Sequence, residues 1–278
     1  MWKPKLSRQT IQIKSDNQIA LMRQAGLVVA GALRAVRAEV GAGVSTKDLD
    51  DVAERYIRGQ GATPSFLGYH GFPASICASV NEEVVHGIPL SSRGLRDGDV
   101  VSIDCGAIVE GYHGDAAITV PVGDVAPEVH ELMRATEESL WSGLAAARLG
   151  GRLGDVSHAI EKSIRGHDRD FGIVRNYGGH GIGTEMHQDP HVLNYGRAGR
   201  GPKLVRGMAL AIEPMVTLGK PATVELDDGW TVVTADGSYA AHFEHTVTVT
   251  DDGPWVLTAE DGGAAMLGEL GLTVPAQR

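Results

Sequence analysis

Apolar residues along the chain mark out two helices, a hairpin, two more helices and a series of short strands. Ile19, Met22, Leu27, Val29, Ala30, Leu33, Val36 and Val40 recur at helical spacing and give the first helix a broad apolar face. Ser15, with Gln18 three residues on, is the reciprocal capping pattern that opens it, and Gly41 is placed to end it. Leu49, Val52, Ala53, Tyr56 and Ile57 line a second helix, capped by Ser45 or Thr46 and ended by Gly59 or Gly61. Residues 64–73, PSFLGYHGFP, read as a glycine-broken, ring-rich loop; 74–80 is a short strand, and 81–89 a loop that carries His86. After a turn at 95–99 comes a hairpin at 100–119. Pro127 opens a third helix to about residue 147, and Asp155 caps a fourth to about residue 166. A glycine-rich strand and loop (NYGGHGIGTEMHQDPHV), a basic glycine loop at 196–202, and strands at 208–213, around Val224, at 230–234 and at 244–250 complete the pattern. The order helix, helix, strands thus occurs twice, over 15–122 and 127–250. It predicts a single α+β domain over 1–278, with 1–14 a polar arm extended at 10–13, 15–250 the core, and 251–278 a peripheral strand and a loose tail.

The hairpin stretch, VVSIDCGAIVEGYHGDAAIT, sets two carboxylates among β-branched and small apolar residues. With Glu110 and Gly111 as a two-residue turn, Asp104 falls opposite Ala117, two places from Asp115. Both then point to one face as a diagonal pair, roughly 7–8 Å apart at the backbone. A turn shifted by one residue puts them directly opposite. Either register leaves two like charges on one face of an apolar hairpin, which is destabilising unless a cation lies between them. The ordinary alternative is one turn residue and one solvated edge. Glu213, ending the apolar run ALAIEP, is likewise costly to bury without a partner.

A net charge of −10 over 278 residues, with no basic stripe, argues against general affinity for nucleic acid or an anionic membrane surface. Two cysteines, Cys77 and Cys105, imply no disulfide framework. The N-terminus is polar and basic without an apolar signal core, and no apolar run approaches the ~20 residues of a membrane span. A cytoplasmic protein is expected.

Further residues join the aspartates: His180 in GGHGIG, His187 in EMHQDP, Glu213, and Glu244 at the start of FEHTVTV. Each has an ordinary reading by itself. GGHGIG lacks the lysine of a phosphate loop, His187 fits a surface loop, and Glu244 fits an edge residue paired with Lys or Arg. Together, Asp104, Asp115, His180, Glu213 and Glu244 resemble the five ligands of dinuclear-metal aminopeptidases of the pita-bread fold. The words LGYHGFPASICASVNEEVVHGIP, EGYHGDAAIT, GGHGIG, IEPM and FEHT are similar to those of the type I methionine aminopeptidases. The resemblance covers about residues 16–250.

That resemblance implies two pseudo-symmetric halves and a central curved, mostly antiparallel sheet covered by helices. It implies a metalloaminopeptidase that removes the initiator methionine from nascent chains when the second residue is small. Four carboxylates and one imidazole suit two divalent ions, whether Mn, Fe, Co or Zn. By the family pattern Asp115 and Glu244 bridge them, Asp104 holds one, and His180 with Glu213 the other, Glu213 also serving as general base and proton shuttle. His187 would stabilise the developing oxyanion, and His86 would hold the backbone of the residue after methionine. Tyr69, Phe72, Cys77, Met186 and Trp230 would form the methionine pocket, with Phe66 and His70 near its rim. Phe66, Phe72 and Met186 stand where the family often has Cys, Tyr and Phe, and Cys105 and Gly106 where Val and Thr are commoner. The implied partners are nascent N-termini beginning with methionine, with a transient ribosome contact; no specific nucleic acid or membrane is implied, and a monomer is expected. Two other readings compete. An Xaa-Pro peptidase of the same fold usually carries an extra N-terminal domain before the catalytic one. A non-catalytic relative that binds protein or RNA typically lacks metal ligands that are all present here.

Overall fold

The hairpin at the centre of the chain forms in the expected register. Val109 pairs with Tyr112 across Glu110 (φ 48°) and Gly111 (φ 81°), and positive φ at both turn residues suits the right-handed twist of the strands. Asp104 lies opposite Ala117 and Gly106 opposite Asp115, so the two aspartates share one face as a diagonal pair. The computed structural model describes residues 11–272.

Around this hairpin a nine-stranded antiparallel sheet is built. Val100–Val109 takes Thr63–Pro64 and Ile76–Val80 as partners. Tyr112–Pro121 continues to Glu244–Thr250, then to Ala209–Ile212, Gly179–Gly181 and Gln188–Val192, while Gly253–Val256 pairs back on Glu244–Thr250. Two helical pairs serve two separate cores. α1 (Asp16–Glu39) and α2 (Thr46–Gly59) bury Val29, Leu33, Val36, Leu49 and Ile57 against Ile76, Val101, Ile103 and Cys105. α3 (Pro127–Ala146) and α4 (Leu153–Arg165) bury Leu132, Leu140, Leu144 and Ile160 against Leu210, Ile212 and Val247. This is the two-halved, helix-covered sheet of the pita-bread fold.

The halves meet along a short seam. Tyr112–Pro121 and Glu244–Thr250 share only the pairs Glu244 with Ala117 and His245 with Ala116. Threonine hydroxyls lengthen it. Thr246 Oγ1 accepts from the Asp115 amide at 3.1 Å and donates to the Asp115 carbonyl at 2.8 Å. Thr119 Oγ1 accepts from the His242 amide at 2.9 Å and donates to its carbonyl at 2.7 Å. Each hydroxyl satisfies a donor and an acceptor that the interrupted ladder would leave buried.

Several local expectations need correction. Asp155 is not the cap residue of α4 but its third helical residue; from there its carboxylate accepts from the Arg152 amide at 2.7 Å, which satisfies one free donor at the helix start. The loop at 81–89 contains the strand Glu83–Val85, which pairs with Val232–Thr234, itself paired with Thr223–Glu225. A second small sheet joins Met215–Thr217 to Gly172–Ile173 and Ala240–His242. These strands are too short to show an alternation. α1 is long and apolar enough, by length and composition, to cross a membrane, because its Ala and Gly residues add to the apolar stripe. In the protein that stripe packs onto the hairpin and α2. Of the polar arm, residues 1–10 lie outside the described residues; Ile13 bridges Met208, and Lys14 is buried.

The tail is not loose over its described part. Gly253–Val256 leads into α5 (Ala264–Glu269), whose Leu267 is buried in the second core. Arg23 of α1 holds the connection: its guanidinium donates to the carbonyls of Leu257 (2.8 Å), Ala259 (2.5 Å), Glu260 (2.8 Å) and Val256 (3.3 Å). Gly26, one turn on, admits the Leu257 carbonyl where a Cβ would clash. Arg23→Met keeps the aliphatic stem but orphans buried carbonyls. It is expected to lower stability by about 2–3 kcal/mol, read as a fall in melting temperature with metal present or absent.

Candidate metal centre

Five segments of the large sheet deliver the polar residues to one spot beside the seam. Asp104 and Asp115 come from the two hairpin strands, where the register sets them on one face as a diagonal pair. His180 sits in Gly179–Gly181, Glu213 directly follows Ala209–Ile212, and Glu244 opens the last long strand. Sheet register explains the convergence: His180 pairs with Ala211, and Glu244 with Ala117, itself opposite Asp104. His180 Nε2 lies 3.8 Å from Asp115 Oδ2 and 3.5 Å from Glu213 Oε1. Asparagine 194 steadies the glutamate from behind, its amide donating to the Glu213 carbonyl at 2.9 Å.

Electrostatics of this cluster are adverse in the bare protein. Burial pushes Asp104 up to about 7. Burial first, and then the neighbouring carboxylates, raise Asp115, Glu213 and Glu244 well above the usual range. His180 is driven down to about 4 by burial, so it is a neutral ring at neutral pH. Its Nδ1 lies 3.0 Å from the Gly181 carbonyl, which can only accept, so the ring proton is on Nδ1. The Nε2 lone pair therefore faces carboxylate oxygens, an arrangement of electron-rich atoms that only cations or extra protons stabilise. Among the described residues Asp104 Oδ1, Asp115 Oδ1 and Glu244 Oε1 are buried with no hydrogen-bond partner. Donor atoms of Asp115, His180 and Glu244 all lie within 4.8 Å of one another, as do those of Glu213, His242 and Glu244. Oxygen-rich donors with imidazole, orphaned in this way, fit divalent transition metals.

The histidines and rings expected around the substrate surround this cluster. His187 lies tilted against His180, with ring centroids 4.3 Å apart, and its Nδ1 is 2.9 Å from the Tyr69 hydroxyl. Burial, then the nearby His180, drives it down to about 2. His86 sits at positive φ (61°) after Glu83–Val85, edge-on to Tyr177 and Trp230, and burial lowers it to about 4. Phe72, Cys77 and Met186, with partly buried Tyr69 and Trp230, form one apolar cluster that also takes in Phe66. Phe72 and Trp230 meet edge to face at 5.1 Å, and Cys77 lies directly across from Asp104. His70 is exposed at the outer edge of Tyr69, beside a cleft of about 540 Å³. Gly106 is closed in from two sides: a Cβ there would come within 2.8 Å of Ser65 Cβ and 2.9 Å of the Met186 methyl, so glycine makes room for both.

Sequence reasoning missed His242 and Tyr177. The one sequence signal for His242 is its place two residues before Glu244 in AHFEHT, at the end of a separate three-residue strand. No pattern marked Tyr177.

A family model for metallopeptidase family M24 matches residues 20–251. The chain is 58% identical over 255 residues to methionine aminopeptidase 1 of Mycobacterium tuberculosis, a match covering 90% of this chain and 96% of that protein. It is 50% identical over 245 residues to methionine aminopeptidase 1 of Bacillus subtilis, covering 88% of this chain and 98% of that one. The crystal structure of methionine aminopeptidase from Thermotoga maritima matches with a TM-score of 0.88 at 44% identity, over 90% of this chain and 100% of that one. A prolidase from Pyrococcus furiosus shares the fold at 22% identity, with a TM-score of 0.72 over 89% of this chain and 65% of its own. With sequence, fold and donor set in agreement, the chain belongs to metallopeptidase family M24.

Proposed function

We propose that the chain is a methionine aminopeptidase that removes the initiator methionine from nascent proteins whose second residue is small. The observation that carries this is the contact between the donor cluster and a ring- and sulfur-lined pocket, with Cys77 directly across the strand pair from Asp104. Asp104, Asp115, His180, Glu213 and Glu244 would hold two divalent cations, which when bound supply polarisation of the scissile carbonyl and a water of lowered pKa. Glu213 accepts a proton from the attacking water and passes it to the leaving nitrogen. The Tyr69 hydroxyl, donating to His187 Nδ1, leaves the proton on Nε2, so that a neutral ring donates to the developing oxyanion. His86, lodged between Tyr177 and Trp230, holds the backbone after the methionine, and these rings limit the second side chain to a small one. An unbranched thioether fills the pocket of Tyr69, Phe72, Cys77, Met186 and Trp230. The protein is read as cytoplasmic and monomeric, meeting its substrates as they leave the ribosome. The likeness to prolidase is one of fold alone.

The test is release of free methionine from Met-Ala-Ser and Met-Leu-Ser by metal-stripped protein, with Mn²⁺, Co²⁺, Fe²⁺ or Zn²⁺ restored singly. Metal-dependent cleavage of the alanine peptide, at least about 100-fold faster than the leucine peptide, is expected. Folded protein that cleaves neither peptide with any metal overturns the activity, and equal cleavage of both overturns the size rule.

A further inference from the structure

His242 is the one imidazole at the centre for which the reaction as proposed has no use. It ends the strand Ala240–His242 and is 1% exposed. Its Nε2 points between two of the acidic residues, 3.7 Å from Glu213 Oε2 and 3.8 Å from Glu244 Oε2. Both separations are too long for a hydrogen bond, and Nε2 has no partner among the described residues. Its main chain is clamped on both sides by Thr119, so the ring is presented by a fixed backbone. Glu213 stands between two imidazoles, with Oε1 toward His180 and Oε2 toward His242.

We infer that His242 is a further nitrogen donor of the metal centre, binding the cation shared by Glu213 and Glu244. A buried nitrogen within reach of two carboxylate oxygens, yet bonded to neither, is the spacing that donors show across a common cation. A residue that only positions Glu213 would donate to it at about 3 Å. Two imidazoles in the centre move its preference from Mn²⁺ toward the borderline ions Fe²⁺, Co²⁺ and Zn²⁺, for which nitrogen donors are the better match. The inference rests on the reading of the cluster as a metal centre.

High-spin Co²⁺ reports the donor count directly, because each bound imidazole gives one strongly shifted, solvent-exchangeable N–H proton resonance. The full chain, stripped and reloaded with two equivalents of Co²⁺, is expected to show two such resonances. His242→Gln and His180→Gln are each expected to show one, and Co²⁺ affinity by calorimetry to fall about 10–100-fold in His242→Gln. The wild-type count stands even where a variant does not fold. A single resonance in the wild type, lost in His180→Gln and kept in His242→Gln, overturns the assignment and leaves the metal centre intact. His242→Gln with unchanged resonances and affinity does the same. No Co²⁺ bound by the folded wild type overturns the metal reading itself.

Discussion

Asp104→Asn is expected to cut methionine release from Met-Ala-Ser by about 10³-fold or more, a loss of ~4 kcal/mol in transition-state stabilisation, while raising the melting temperature of the metal-free protein. The substitution keeps shape and removes a charge. Asp104 is buried on the same sheet face as Asp115, and its Oδ1 has no hydrogen-bond partner. In the proposed centre its carboxylate would hold a divalent cation, and an amide would be a poor substitute. In the bare protein the same carboxylate is a burden, which is why burial pushes it up to about 7. An asparagine amide carries no charge to desolvate. Function and stability thus move in opposite directions, as expected where a strained cluster serves chemistry. Steady-state rates and thermal melts at pH 8 check both halves. Full turnover in the variant sinks the ligand role, and a lower melting temperature without metal sinks the account of the cluster as costly.

The second large effect is on stability as a function of pH. Metal-free protein is expected to lose melting temperature steadily from pH 6.5 to pH 8.5, and metal-loaded protein to stay nearly level. The sign follows from two opposed sets of groups. His86, His180, His187 and His242 titrate in the folded chain well below their ordinary 6.5, so the unfolded chain binds more protons than the native one and stability rises with pH up to about 6.5. Asp104 titrates at about 7 against an ordinary 3.8, and Asp115, Glu213 and Glu244 are displaced the same way. Over that range the native chain holds protons that the unfolded chain has released, so stability falls as pH rises through the folded values. Below 6.5 the two sets offset each other; above it only the carboxylates remain. A bound cation takes the place of those protons, so its stabilisation grows with pH. Melting curves with and without metal, collected across pH 5–8.5, give the comparison. A metal-free curve that rises through pH 8 contradicts it.

What the chain discloses about itself divides by range. The Glu110 and Gly111 turn, the Ser15 and Ser45 caps and the diagonal of Asp104 with Asp115 depend on neighbours a few residues apart, and all are found as read. Convergence of His180, Glu213 and Glu244 on that diagonal depends on pairings such as His180 with Ala211, which no spacing encodes. That part rested on resemblance to a family. Short strands such as Ala240–His242 and Glu83–Val85 carry too few residues for a period, so His242 escaped notice with its strand. The Arg23 anchorage of the tail joins residues more than 230 positions apart and leaves no local trace. Gly106 became intelligible only once Ser65 and Met186 were seen against it.

The seam between the halves has a mechanical consequence. Donors Glu213, His242 and Glu244 all belong to the second half, whereas Asp115, His180 and Glu244 straddle the join. A small shear of one half along the other leaves the first group intact and pulls the second apart. The two groups are therefore unequal: one reads the fold of a single half, and the other reads how the halves have docked. A cation in the straddling group is a latch, and its grip is a gauge of closure.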